Sequence, residues 1–233
     1  MNVAIILLSG SGIRFGLSLP KQFIELKGAP LYSYSLTAFE KNKNIDEIIL
    51  VVNPSYMNEV NNYIFHSGKK LSKPVRIIVG GETRQKSSFS GITAITEKQS
   101  KVLIHDAVRP FVKQSLINDC LLRLDTYQAV STVIPVTDTL YHKDTLDKIV
   151  DIPLRNNYVR AQTPQGFHME TILTAHNKAI QSGFINAPDD CYLITKYTKT
   201  EVSLIPGDIY NIKITYPDDI AFAETIINKY YAL

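Results

Sequence analysis

Leu8-Ser9-Gly10-Ser11-Gly12-Ile13-Arg14-Phe15-Gly16 follows directly on an apolar run, residues 3–8, and leads to Pro20-Lys21-Gln22. The run reads as a buried strand. Small residues after it let backbone N–H groups curl around phosphates, because a side chain at Gly10 or Gly12 would block the approach. Arg14 and Lys21 bring positive charge to the same place. A strand, a glycine loop and two cations make a site for a nucleoside triphosphate. Gly10, Gly12 and Gly16 are spaced G-x-G-x-x-x-G, one residue longer than the dinucleotide fingerprint, and no G-K-[ST] of a Walker A loop is present. A glycine turn alone also fits a simple tight connection; the cations and the Pro-Lys-Gln separate the two readings.

Short apolar runs alternate with helical patterns along the chain, which predicts a mostly parallel sheet covered by helices on both faces. Strands are expected at 3–8, 47–52, 75–79, 102–105, 129–134 and 202–205. Helices are expected at 30–40, 55–67, 84–96, 114–124, 169–182 and 217–230, with a weaker signal at 190–196. Thr215 and Asp218 read as a capping box for the last helix. Between 137 and 160 the alternation stops, and a hairpin of 138–142 with 148–152 fits best. An isolated two-stranded hairpin is marginal in water, so this arm needs something to pack on.

The chain has 233 residues, 45% of them hydrophobic, which suits one domain with a sizeable core. A net charge of +3 is too small for a nucleic-acid footprint. The histidines show no metal spacing. Cys120 and Cys191 read as two reduced cysteines of a cytoplasmic protein. The opening residues lack a basic region and read as the first strand, not a signal peptide. No apolar stretch approaches the ~20 residues of a membrane span.

Further motifs follow in order. Gly80-Gly81 precedes Arg84 and Ser87, then come His105-Asp106-Ala107-Val108-Arg109-Pro110, Asp138-Thr139, Arg155, Gln162-Thr163-Pro164-Gln165 and Asn211-Ile212-Lys213-Ile214-Thr215. Asp106 sits at the carboxyl end of an apolar strand, where open parallel sheets bind ligands, although a turn or N-cap aspartate fits that position too. Lys213 lies between two isoleucines on an apparent short strand. Burying an unpaired ammonium is expensive, so it either faces solvent from an edge or meets an anion. With the opening loop, these motifs resemble the cytidylyltransferases of the 2-C-methyl-D-erythritol 4-phosphate family, which includes the ribitol-5-phosphate enzymes. The resemblance spans essentially the whole chain.

The resemblance implies a Rossmann-like α/β fold in three layers, one domain over residues 1–233, with 137–160 a protruding β-arm that clasps a second copy. It implies transfer of CMP from CTP to a polyol phosphate with release of pyrophosphate; triphosphate chemistry adds Mg²⁺ or another divalent cation. Arg14, Lys21 and Lys213 would carry the transfer. Leu8, Ser9, Gly10, Ser11, Gly12, Gly81, Glu82, Arg84, Ser87 and Ala107 would hold the nucleotide. Asp106, Arg109, Thr139, Arg155 and Thr163 would hold the second substrate, Thr139 and Arg155 reaching the partner's site; Arg109 either orients its loop or binds a phosphate. No protein metal ligand is expected. The chain departs from the family at Leu8-Ser9, where Ala-Ala is usual, at Glu82, where aspartate is common, and at the Asp189-Asp190 pair. An NAD(P)-dependent oxidoreductase is disfavoured by the glycine spacing. A nucleotide-binding protein without catalysis is disfavoured by Arg14, Lys21, Asp106 and Lys213.

Overall fold

The computed structural model describes residues 1–10, 19–66 and 70–230. Its centre is a seven-stranded sheet. The strands are β1 (Asn2–Leu8), β4 (Glu47–Val52), β5 (Val75–Val79), β6 (Lys101–Asp106), β7 (Ala129–Pro135), β10 (Val159–His168) and β11 (Val202–Pro206), in the order β11-β7-β10-β6-β1-β4-β5. Two short strands, β2 (Glu25–Leu26) and β3 (Ala29–Pro30), form a hairpin beside it, and β8 (His142–Lys143) pairs with β9 (Ile149–Asp151) in the arm. Helices α1 (Leu31–Lys41), α2 (Met57–Asn61), α3 (Arg84–Thr93), α4 (Gln114–Arg123), α5 (Met169–Gln181), α6 (Asp190–Tyr197) and α7 (Asp219–Tyr230) complete the fold.

β1 is central and parallel to both neighbours, Leu8 opposite Val52 of β4 and Leu7 opposite Asp106 of β6. Its period of two sends Ala4, Ile6 and Leu8 to one face and Val3 and Ile5 to the other. The first face packs with Phe39 of α1 and Ile117 of α4, the second with Ile92 of α3, Ile172 of α5 and Leu193 of α6. This is the expected three-layer, mostly parallel arrangement. A third cluster, including Leu31, Val108, Phe111, Ile214 and Ile226, seats α7 near the carboxyl ends of the strands.

The expected strands and helices appear with ends shifted by a few residues, and the 190–196 segment is helical. Asp189 caps it, its carboxylate accepting from the Tyr192 N–H at 2.8 Å. The expected helix at 55–67 is instead a 3₁₀ turn, α2 and a π turn in succession. The Thr215–Asp218 capping box is also corrected. Asp219 supplies the carboxylate, accepting from the N–H groups of Thr215 at 2.6 Å and Tyr216 at 2.8 Å.

β10 is the element that the sequence pattern hid. It runs antiparallel between β6 and β7, and its register against β7 slips between Ala161 and Gln165. Pro164 and Gly166 inside it read as loop residues, and four polar or small positions from Gln162 to Gly166 give no alternation. They are buried nonetheless, at the slip where the strand bends. The arm hairpin is shorter than expected, and its ladder pairs His142 with Asp151 and Lys143 with Ile149. Leu146, Ile149, Val150, Ile152 and Leu154 are exposed along the arm. No helix among the described residues is long and apolar enough to cross a membrane.

Candidate active site

The carboxyl ends of β1, β5 and β6 open onto a cavity of about 590 Å³. Its wall contains Ser9, Gly10, Lys21, Gly81, Glu82, Arg84, Asp106 and Lys213 from the expected set, joined by Leu7, Gln22, Asn53, Thr83 and Val108. Residues drawn from both ends of the chain thus meet at one sheet edge, where open α/β sheets bind ligands. Ser11, Gly12 and Arg14 lie outside the described residues.

Three devices shape the loop side. The Gln22 side-chain amide donates to the carbonyls of Leu8 and Gly10, each at 2.7 Å, and fixes the chain as it leaves β1. The Ser9 hydroxyl donates to Ser87 Oγ at 2.6 Å, and Ser87 accepts the Gly81 N–H at 3.1 Å. A Cβ on Gly80 would stand 2.6 Å from Ser9 Cβ, so the two loops meet closely because that position is glycine, and one on Gly81 would overlap Lys86 Cβ at the start of α3. Thr83 caps α3 by accepting the Lys86 N–H at 3.1 Å, and Glu82 pairs with Lys86 at 2.6 Å on the rim.

Charge is organised around Asp106. Its Oδ1 accepts from Arg84 Nε at 3.2 Å and its Oδ2 from Lys213 Nζ at 2.7 Å. Burial opposes the Asp106 charge, but Arg84, Lys213 and Arg109 outweigh it and hold the carboxyl well below the usual carboxylate range. Arg84 also donates from Nη1 to Asp190 Oδ2 at 2.7 Å. Burial works against the guanidinium, but Asp190 and Asp106 raise its pKa further above its ordinary value. Asp190 is itself only 1% exposed and accepts from Ser88 at 2.5 Å and from His176 Nε2 at 3.1 Å. Burial opposes its charge too, and Arg84 with His176 keeps it ionised. Arg84 therefore spans two carboxylates, one in the cavity wall and one in the core.

Behind the wall, the His105 imidazole is fully buried. Its Nε2 lies 3.0 Å from the Arg109 carbonyl oxygen, and its Nδ1 lies 3.1 Å from Thr163 Oγ1. Burial lowers its pKa to about 4, so the ring is neutral. Burial also lowers the pKa of Arg109, a shift that Asp106 counters and Arg160 and Arg84 reinforce. A smaller cavity of about 230 Å³ lies beside the first, lined by Arg109, Arg160, Gln162 and Lys213 among others. Lys213 is common to both cavities.

Several expected positions fall elsewhere. Leu8 is 1% exposed in the core, because the period of two that carries Leu7 to the cavity turns Leu8 away. Ala107 is fully buried, its N–H donating to the Leu7 carbonyl at 3.2 Å. Ser87 is buried and acts between the loops. Thr163 sits behind Asp106 and accepts its backbone N–H at 3.1 Å. Thr139 and Arg155 are exposed on the arm, outside both cavities, with Arg155 donating to the Thr137 carbonyl at 2.8 Å. Lys213 lies in a segment, residues 211–215, that is neither helix nor strand and belongs to no sheet. Gln22 and Asp190 were within quoted motifs, but their partners were not readable there. Asn53 and Thr83 carried no sequence signal beyond ordinary turn and cap residues.

Comparison with known proteins gives the family and the fold. The sequence profile of the 2-C-methyl-D-erythritol 4-phosphate cytidylyltransferase family matches residues 2–229. The chain is 37% identical over 224 residues to the Lachnospira eligens protein of that name, covering 96% of this chain and 97% of the relative. It is also 37% identical over 232 residues to the Haemophilus influenzae bifunctional ribulose 5-phosphate reductase/CDP-ribitol pyrophosphorylase, covering 98% of this chain but only 48% of that longer protein. The crystal structure of 4-diphosphocytidyl-2C-methyl-D-erythritol synthase from Anaerococcus prevotii superposes with a TM-score of 0.86 at 30% identity, covering 98% of this chain and 96% of the other. The chain belongs to the 2-C-methyl-D-erythritol 4-phosphate cytidylyltransferase family.

Proposed function

We propose that this enzyme transfers CMP from CTP to 2-C-methyl-D-erythritol 4-phosphate. A phosphate oxygen of the polyol phosphate attacks the α-phosphorus, a new P–O bond forms, the bond to the β-phosphate bridging oxygen breaks, and pyrophosphate leaves. Such transfers ask little covalent work of a protein; they need alignment and neutralised charge. The observation that carries the reading is Lys213, which faces both the larger cavity and the smaller cationic one. In this reading the triphosphate occupies the first cavity and the polyol phosphate enters through the second. Lys213 then stands where the attacking and attacked phosphates meet. Lys21 and Arg14 stabilise the departing pyrophosphate, while Ser9, Gly10, Gly81 and Glu82 hold the nucleotide.

Magnesium bound to the triphosphate would withdraw charge from it. Among the described residues no three His, Cys, Asp or Glu side chains gather as a metal nest. The wall would suit an ion held mainly by phosphates and water; its carboxylates, Asp106 and Glu82, are each already paired with cations.

The arm supports a homodimer. Its exposed apolar side chains need cover, and Thr139 and Arg155 lie on it away from the chain's own cavities, which suits a role in the partner's site. A cytoplasmic location fits the absence of a spanning helix among the described residues.

A second reading takes ribitol 5-phosphate as the acceptor. It is favoured by the Haemophilus influenzae relative, as similar at 37% identity as the Lachnospira eligens protein of the other branch. Pyrophosphate release from CTP and Mg²⁺ with each polyol phosphate tests both. Release with 2-C-methyl-D-erythritol 4-phosphate alone supports the first reading, and release with ribitol 5-phosphate alone replaces it by the second. Release with neither overturns both.

A further inference from the structure

Four side chains behind the cavity wall close a ring of hydrogen bonds. His105 Nε2 donates to the Arg109 carbonyl at 3.0 Å, Arg109 Nη1 to the Asn211 carbonyl at 2.8 Å, Asn211 Nδ2 to the Thr163 carbonyl at 2.8 Å, and Thr163 Oγ1 to His105 Nδ1 at 3.1 Å. The direction is fixed by chemistry. A carbonyl oxygen carries no hydrogen, so Nε2 must donate to Arg109. The buried neutral ring has one N–H, on Nε2, so Nδ1 accepts and the Thr163 hydroxyl donates to it, while the Thr163 oxygen accepts the Asp106 N–H at 3.1 Å. His105 is then the neutral Nε2–H tautomer, with both ring nitrogens used and no spare valence.

The ring joins three distant pieces of chain: the turn after β6, the slipped part of β10, and the segment from Asn211 to Ile214. The last carries Lys213, and the Ile214 N–H donates to the Val108 carbonyl at 2.9 Å to close the same joint. All four ring members are at most 9% exposed. In a water-poor interior such bonds are costly to leave unmade, so the ring holds its geometry. Asp106 and Lys213 are the two groups at the cavity surface that it sets.

We propose that His105 is a positioning residue for nucleotidyl transfer, holding Asp106 and Lys213 in register through Thr163 and Arg109 without touching substrate. This rests on the cytidylyltransferase reading. His105 would act on the alignment of the reacting phosphates, not on the grip of the nucleotide, so its loss should appear in kcat. A small misplacement of reacting groups can cost a factor of about 10².

Steady-state pyrophosphate release is measured for the unaltered protein, His105→Gln, Thr163→Val, Thr163→Ser and the His105→Gln/Thr163→Val double variant, with thermal midpoints alongside. The expected result is a kcat lowered roughly ten- to a hundredfold by His105→Gln and by Thr163→Val, with KM for CTP within about threefold. Thr163→Ser keeps the hydroxyl and stays near the unaltered rate. The two changes share the His105–Thr163 link, so the double variant loses less than the product of the two single losses. A folded His105→Gln with normal kcat, a loss confined to KM for CTP, or multiplying losses in the double variant each overturn the proposal while leaving the cytidylyltransferase reading intact. If His105→Gln does not fold, the contrast between Thr163→Val and Thr163→Ser decides: equal rates overturn the proposal. No release by the unaltered protein with either polyol phosphate overturns the reading and the proposal with it.

Discussion

Lys213 and Asp106, 107 positions apart in the chain, meet at 2.7 Å in the wall of the cavity. Arg84 reaches the other oxygen of the same carboxylate at 3.2 Å. Asp106 thus faces two cations, and its charge is balanced before any ligand arrives. Adding a triphosphate changes that balance, since both cations then have a second anion to meet. The pair is the natural place to expect a contribution to the rate.

Lys213→Ala is expected to lower kcat/KM by roughly a hundred- to a thousandfold, the usual cost of removing one donor aimed at charge that develops in a transition state. Lys21→Ala is expected to fall in the same range. The two should differ in character: Lys213 faces the second cavity too, so its loss should also raise KM for the polyol phosphate. Steady-state pyrophosphate release with each substrate varied in turn checks this, and a Lys213→Ala enzyme with unchanged kcat/KM would refute the role.

How far the sequence foretold this site depends on the kind of residue. Strands of plain apolar composition such as Ile48 to Val52 were readable, because burial on both faces leaves no polar position to confuse the pattern. β10 was not, because its Gln162, Thr163 and Gln165 are polar for reasons that lie on other segments: Gln162 donates to the Asp208 carbonyl at 2.9 Å and Gln165 to Asp189 Oδ2 at 2.8 Å. Lys21 and Asp106 were visible as charges beside strand ends. The Leu8 side chain lies in the core because a motif records order along the chain, while the pleat decides which of two neighbours faces the cavity. The role of Asp190 depends on Arg84, 106 positions away, and no local rule could pair them.

The Asp190–Arg84 pair should matter for stability. Removing one member of a buried pair costs about 3–5 kcal/mol when the other charge is left uncompensated. Asp190→Ala leaves Arg84 with Asp106 as its remaining carboxylate and takes the shared acceptor from Ser88 and His176, so a smaller loss of about 1–3 kcal/mol is expected. Urea unfolding should show a loss in that range. A fall in activity should accompany it even under conditions where the variant is folded, because Arg84 would then be held by Asp106 alone. A loss within the ordinary range of a surface substitution would refute the assignment.

Acid should find His105 before it finds the buried carboxylates. Burial lowers its folded pKa to about 4 from an ordinary 6.5. As pH falls below the ordinary value, the unfolded chain takes up a proton that the folded ring refuses, so stability declines and the decline ends near the folded value. Asp106 and Asp190, held below the usual carboxylate range, lose their contributions only at lower pH still. Urea midpoints measured between pH 7 and 4 should therefore fall for the unaltered protein and fall less steeply for His105→Gln, whose side chain does not titrate. Parallel profiles would show that the ring is not the group responsible.

Complementation tests whether the arm serves a neighbour. Lys21→Ala damages the cavity, and Arg155→Ala damages the arm. If the arm of one copy completes the cavity of the other, each variant alone is poorly active, for different reasons. In a mixed dimer the cavity of the Arg155→Ala copy keeps its own Lys21 and receives the intact arm of the Lys21→Ala copy, so one site of two is whole. The other site carries both lesions. After exchange of equal amounts, half of the dimers are mixed, and activity should return to about a quarter of that of the unaltered protein. An arm that serves its own chain predicts no recovery at any mixing ratio, because every site would then carry one lesion. Pyrophosphate release before and after subunit exchange distinguishes the two outcomes, with sedimentation at the assay concentration confirming that the mixture is dimeric.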